Sequence, residues 1–177
     1  MPEPEAGRIA FSEFVAGALP SLLRFGHLLT GSPQEAEDLV QEALARCLRR
    51  WRWVRADDPS GYVRRTMINA QATRWRRWDS RVRLGDVPEA AGDDAALARR
   101  EDWEALRAAL ARLPARQRTV LVLRYFEDLP DSSIAALLGC RPGTVRSQAF
   151  RGLAALRPLL AAETTGTAGG GDTHGAG

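Results

Sequence analysis

Apolar residues return every three or four positions over residues 11–29: Phe11, Phe14, Val15, Ala18, Leu22, Phe25 and Leu29. That period puts them on one face of a helix. Pro20 lies inside it and has no backbone N–H, so a kink is expected there. Thr30-Gly31-Ser32-Pro33 breaks the pattern. Ser32-Pro33-Gln34-Glu35 then has the form of a capping box with proline at the first helical position. The helix it opens should run to about Trp51, with Ala36, Leu39, Val40, Ala43, Cys47 and Leu48 as its apolar stripe. Asp38, Gln41, Glu42 and Ala45 fall largely off that stripe. Residues 53–61 read as a loop. A third helix over roughly residues 60–78 turns Val63, Met67 and Ala70 inward and its arginines outward. Three helices on short connections make a bundle.

Beyond it, residues 80–100 hold Gly, Pro and acids without apolar periodicity and read as a flexible linker. A second helical unit follows. Trp103, Leu106, Leu110 and Leu113 repeat at helical spacing up to Pro114, and Val120, Leu121, Leu123 and Phe126 mark the next helix. Residues 132–138 form a short helix ended by Gly139. A last helix starts near Pro142 and runs toward Leu156, with Val145, Ala149, Leu153 and Leu156 inward. The Gly/Thr-rich tail over 161–177 reads as disordered. The expected architecture is all-α: two small helical domains, 8–79 and 101–160, joined by a flexible linker, the second containing a helix-turn-helix.

Composition adds limits. No run of 18 uninterrupted apolar residues occurs, and the N-terminus MPEPEAGRIA lacks the apolar core of a signal peptide, so no membrane span is expected. Cys47 and Cys140 are far apart, without ligand-spaced partners, and read as two small buried thiols in a reducing cytoplasm. Neither a metal set nor a nucleophile–base pair appears, so no catalytic residue and no cofactor is expected.

Charge changes the picture more. All basic residues are arginine, a planar fork suited to phosphate and guanine. Net charge is only +3 but uneven. Residues 46–83 carry twelve arginines against three acids; residues 84–106 carry two against seven; residues 132–160 carry four arginines and no acid. Two basic blocks across an acidic one suggest two sites for a polyanion.

Each block has its own chemistry. In residues 131–153, Ile134, Leu138 and Val145 are spaced to fill a small core, Ala135 is small where two helices cross, and Gly139 allows a sharp turn. This is a helix-turn-helix pattern. Its second helix offers Arg146, Ser147, Gln148, Phe150 and Arg151, residue types that grip guanine, adenine and the thymine methyl. In the first unit, Arg64, Arg65, Arg74, Arg76 and Arg77 accompany Tyr62, Trp75 and Trp78. Arginine interleaved with aromatics suits single-stranded nucleic acid, the charges following the backbone while rings stack on bases.

Three stretches then resemble a known family, the bacterial extracytoplasmic-function (ECF) sigma factors of the sigma-70 family, and within it the sigma-E-like members. AEDLVQEALARCLRRW resembles the family's core-polymerase-binding helix. DPSGYVRRTMINAQATRWRRW resembles its minus-ten recognition and melting segment. LPARQRTVLVLRYFEDLPDSSIAALLGCRPGTVRSQAFRGLAALRP resembles its minus-thirty-five reader. The resemblance implies a non-enzymatic, cytoplasmic, nucleoid-associated promoter-specificity subunit. Its implied partners are core RNA polymerase (clamp helices of the large subunit, and flap) and promoter DNA, duplex and single-stranded, with no small-molecule substrate. Most members of the group are held inactive by an anti-sigma factor, often membrane-anchored, and the resemblance extends to such a partner.

By the same resemblance, Asp38, Leu39, Gln41 and Glu42 would meet the polymerase. Trp53, Arg55, Tyr62, Arg65, Asn69, Arg74, Trp75, Arg76 and Arg77 would hold the minus-ten strand, with the loop Trp53–Gly61 and Asn69 around a flipped base. Arg141, Thr144, Arg146, Ser147, Gln148, Phe150 and Arg151 would serve the upstream element. Thr73 departs from the acid that many members carry four residues after the asparagine, and Phe150 from a small polar residue. The rival reading is a classical helix-turn-helix regulator binding duplex operator DNA without polymerase.

Overall fold

The structure, a computed structural model, describes residues 3–54, 58–79 and 98–166. Among the described residues every regular element is a helix: α1 (Glu3–Thr30), α2 (Pro33–Arg49), α3 (Trp51–Val54), α4 (Pro59–Asp79), α5 (Ala98–Ala111), α6 (Ala115–Tyr125), α7 (Asp131–Leu138) and α8 (Pro142–Gly166). The expected linker lies mostly outside these residues, though Ala98 to Arg100 already belong to α5. The expected tail is helical as far as Gly166.

Helix α1 starts well before residue 11 and continues through Pro20 without a break. Its Gly7–Thr30 portion is long and apolar enough to cross a membrane, with mean hydropathy 1.2 over its most apolar stretch. The apolar face is nevertheless used internally: Leu22, Phe25, Leu28 and Leu29 are buried in the core with Leu39, Val40, Ala43 and Cys47 of α2 and Val63, Met67 and Ile68 of α4. Phe11 and Phe14 close the far end against Trp51 of α3, with ring centroids 5.1 and 5.2 Å from the indole. Leu48 is the one exception in the stripe expected for α2; it is 47% exposed, off the face that Cys47 and Trp51 bury.

Half of the expected capping box forms. Ser32 Oγ accepts from the Glu35 N–H at 3.4 Å, but the Ser32 N–H donates to Thr30 Oγ1 at 3.3 Å and not to Glu35. The helix ends where the sequence places Arg50, whose N–H donates to Cys47 O.

In the second unit, Leu110, Leu113, Val120 and Leu123 from α5, α6 and their connection are buried with Ile134 and Ala135 of α7 and Val145 and Ala149 of α8. Gly139 adopts φ 65°, and the N–H of Cys140 returns to Ala135 O at 3.0 Å, producing the sharp turn into α8. A side chain with a Cβ is strained at that φ.

The two units are seated against each other, α1 on α5 and α6, and α4 on α7. Their apolar residues form a single continuous cluster. At the joint, Arg118 of α6 is only 7% exposed. Its guanidinium donates to Ala111 O (3.1 Å) and Leu113 O (3.3 Å) in its own unit, and to Leu29 O (3.4 Å) and Thr30 O in the other. These carbonyls lie at the C-terminal ends of α5 and α1, where helices leave acceptors unsatisfied and carry partial negative charge. Burial pulls the Arg118 pKa down to about 10, with Glu35 opposing, so the group keeps its proton at neutral pH. Gly31, at φ 75°, makes the approach possible: a Cβ there would lie 2.5 Å from Arg118 Nη1.

Candidate nucleic-acid interface

Two hollows open side by side where α2, α3 and α4 meet. One of about 480 Å³ is lined by Arg50, Trp53, Val54, Asp58, Tyr62 and Arg65. The other, about 380 Å³, is lined by Arg46, Arg49, Arg50, Tyr62, Thr66 and Asn69. Arg50 and Tyr62 belong to both. The end of α2 supplies the arginines, and α4 brings Tyr62, Arg65, Thr66 and Asn69 to one face by their three- and four-residue spacing. Asp58 is the one acid of the first hollow, and its Oδ1 already accepts from the Gly61 N–H at 2.8 Å to start α4. The lining is therefore strongly cationic and carries two aromatic rings.

Trp53 is 63% exposed, with the Arg52 guanidinium 4.0 Å from its ring centre, a cation–π contact that keeps the indole at the rim. Trp51, two positions earlier, is buried. Arg46, Arg49, Arg50 and Thr66 are absent from the set expected by resemblance. The signal of the three arginines was present in the run RCLRRW, where positions 46, 49 and 50 share one helical face.

The remaining residues expected to hold the minus-ten strand divide. Arg74 is exposed and pairs with Glu42 at 3.5 Å. Trp75 is half-buried, with the Arg116 guanidinium 5.7 Å from its ring. Arg76 donates to Leu137 O of α7 at 2.9 Å and to Thr73 Oγ1 at 3.1 Å. Thr73 in turn donates to Asn69 O at 2.8 Å, so its hydroxyl ties the helix to Arg76. Arg55 lies outside the described residues, and so do the side chains of Arg77 and Trp78. Trp75 and Arg76 thus face the second unit, apart from the hollows.

On α8, Val145 and Ala149 are buried while Arg146, Phe150 and Arg151 point away from the core. Phe150 is 75% exposed, an apolar ring without an internal partner that would explain it. Arg141 O accepts from the Thr144 N–H at 2.9 Å at the helix start. Ser147 Oγ lies 3.0 and 3.1 Å from Gly143 O and Thr144 O, so its proton is used within the helix and its lone pairs face out. Gln148 is half-buried.

On α2, Asp38 and Gln41 are exposed and Glu42 is partly so, held by Arg46 at 2.6 Å. Leu39 does not belong with them. It is wholly buried, because it falls on the same stripe as Ala36, Val40 and Ala43. A residue that fills the core has no surface left for a partner.

Comparison with known proteins decides the family. The family described as Sigma-70 region 2 matches residues 14–81, and Sigma-70, region 4 matches residues 103–156. The RNA polymerase sigma-E factor of Streptomyces coelicolor is 38% identical over 156 residues, which cover 87% of this chain and 88% of that protein. The chain belongs to the sigma-70 family, in its extracytoplasmic-function group. A further relative, the ECF RNA polymerase sigma factor EcfG of Rhodopseudomonas palustris, is 31% identical over 82% of each chain. Among solved structures, the sigma factor RpoE in complex with the anti-sigma factor NepR from Bartonella quintana aligns over 85% of this chain and 96% of that one, at 24% identity and TM-score 0.46. The chain is thus an RNA polymerase sigma factor, a regulatory DNA-binding protein. The match to both helical units, and not to the helix-turn-helix alone, disfavours a classical operator-binding regulator.

Proposed function

We propose that this sigma factor directs core RNA polymerase to its promoters through two separate contacts and opens the DNA at the first. Residues 8–79 act as the core-binding and minus-ten unit, and residues 101–160 as the minus-thirty-five unit. Asp38, Gln41 and Glu42 present acids and an amide to the basic clamp helices of the polymerase. In the hollows, Arg46, Arg49, Arg50 and Arg65 hold phosphates of the non-template strand. Trp53 and Tyr62 stack against an unstacked base, and Asn69 pairs with a base edge. Base–aromatic stacking contributes about 1–3 kcal/mol per base, comparable to the few kcal/mol needed to unstack one.

Upstream, Arg146 and Arg151 grip phosphate or guanine in the major groove, Phe150 packs on a thymine methyl, and Arg141, Thr144, Ser147 and Gln148 flank them. The polymerase supplies the chemistry; this chain supplies no catalytic group and works at the nucleoid in the cytoplasm. The observation that carries this reading is the cationic, ring-lined pair of hollows around Trp53, Tyr62 and Asn69 beside an exposed acidic face of α2. Run-off transcription on a genomic library, with purified core polymerase lacking a sigma subunit, tests it. Addition of this chain should yield discrete new transcripts that share an upstream element. Absence of association with core polymerase overturns the reading.

A further inference from the structure

We propose that Phe150 makes α8 a detector of the C5 methyl group, so that 5-methylcytosine paired with guanine is read in place of thymine paired with adenine at one position of the upstream element. The inference rests on the assignment of α8 to the major groove and adds to it a dependence on cytosine methylation.

The ring is exposed and uncovered. Guanidinium groups lie over the rings of Phe25, Trp53, Trp75 and Tyr125. Among the described residues, Phe150 has neither a guanidinium nor a second ring on it, and no other large apolar side chain is as exposed. Val145, Ala149 and Gly152 turn inward, which puts Gly143, Ser147, Phe150 and Ala154 on the opposite face. Arg146 and Arg151 flank that face. The Arg146 guanidinium leans toward the start of the helix, where a Cβ on Gly143 would lie 4.0 Å from its Nη2. Phe150 is therefore the one bulky group at the middle of the face.

Duplex DNA is the occupant that fits. Residues 132–160 carry four arginines and no acid, a charge complementary to phosphate on either side of the ring. Between the phosphates, the apolar group that a base edge offers in the major groove is the methyl on C5 of a pyrimidine.

Ser147 sharpens the assignment. Its proton is used on Gly143 O and Thr144 O, so its oxygen is left to accept. One turn from Phe150, it suits an amino group of adenine or cytosine. Thymine·adenine and 5-methylcytosine·guanine each present one C5 methyl and one amino donor within a single pair. Unmethylated cytosine·guanine presents the amino donor alone. Ser147 accepts from either kind of pair, and Phe150 separates the methylated from the unmethylated one.

The test is a native gel shift of the holoenzyme, this chain with core polymerase, on promoter fragments found by run-off transcription. Within the upstream element each thymine is replaced by uracil and each cytosine by 5-methylcytosine, one position at a time on both strands. At one position uracil should weaken binding about fourfold, or 5-methylcytosine should tighten it about fourfold, the contribution of one buried methyl group. Where uracil weakens binding, cytosine should weaken it too, and 5-methylcytosine should regain about fourfold over cytosine. Phe150→Ala, with its fold checked by circular dichroism, should erase these methyl effects. Methyl effects absent at every position, or unchanged in Phe150→Ala, overturn the inference and leave the assignment of α8 standing. Weakened association of Phe150→Ala with core polymerase in the absence of DNA, with methyl effects intact, makes the ring a protein contact and also overturns it. Scrambling of the whole upstream element without effect on binding removes the assignment of α8 itself, and the inference with it.

Discussion

The Glu42 carboxylate lies 3.5 Å from the Arg74 guanidinium, so the acidic face of α2 and the basic end of α4 meet at one ion pair. Both groups are partly solvated, and exposed pairs of this kind contribute about 0–1 kcal/mol. The pair is therefore more informative about placement than about stability. It places the proposed polymerase contact next to Arg74, which the family resemblance assigns to the minus-ten strand, and each can be probed from its own side.

Along α2 the two roles separate by burial. Asp38→Ala combined with Gln41→Ala should leave the melting temperature unchanged and weaken association with core polymerase, measured by native gel shift or surface plasmon resonance. Leu39→Ala should do the reverse. It opens a cavity in the core and should cost about 2–5 kcal/mol of stability in urea unfolding.

Trp53→Ala removes an exposed ring and should leave the fold intact. It should weaken binding to a single-stranded minus-ten oligonucleotide by about 1–3 kcal/mol. In the holoenzyme, permanganate reactivity of thymines around the start site should fall in parallel. Normal reactivity would assign Trp53 a purely structural place over Arg52.

Arg146→Ala and Arg151→Ala should each cost about 1–3 kcal/mol in binding to a cognate upstream duplex if the side chain grips guanine, with relaxed preference at that base pair. If either contacts only phosphate, the loss should be uniform across sequences, with a reduced salt slope. Competition with mutated duplexes at two salt concentrations separates the cases.

His27 gives the fold a pH dependence. Its pKa is lowered from 6.5 by burial and then by Arg107, while Glu104 and Glu37 pull the other way. The unfolded chain therefore takes up a proton more readily than the folded one. Stability should be fully present above about 6.5 and decline as pH falls below it. Urea unfolding between pH 7.5 and 5.5 should show that decline, and His27→Gln should flatten it.

Much of this was legible in the residues. The seven-residue stripe from Phe11 to Leu29 gave the orientation of α1, and Gly139 with Ala135 gave the turn before the reader helix. At Pro20 one N–H is missing, and α1 runs through that position to Thr30. Leu39 shows a different limit: a motif matched to a family assigns a role to every position it covers, whereas periodicity alone already placed this side chain inside. Arg118 was not legible at all. In sequence it is one of the two arginines in ARQR, and two of its four acceptors are backbone carbonyls some ninety residues away, which no side-chain pattern records.

Cys47 is sealed in the first bundle, and its surroundings raise its pKa above that of an ordinary thiol. Thiolate is the form that alkylating reagents and peroxides attack. A maleimide dye added to the folded protein should therefore settle on half-buried Cys140, beside the turn of the helix-turn-helix. The two cysteines thus provide a single optical reporter of the helix-turn-helix unit, with no thiol to engineer in or out.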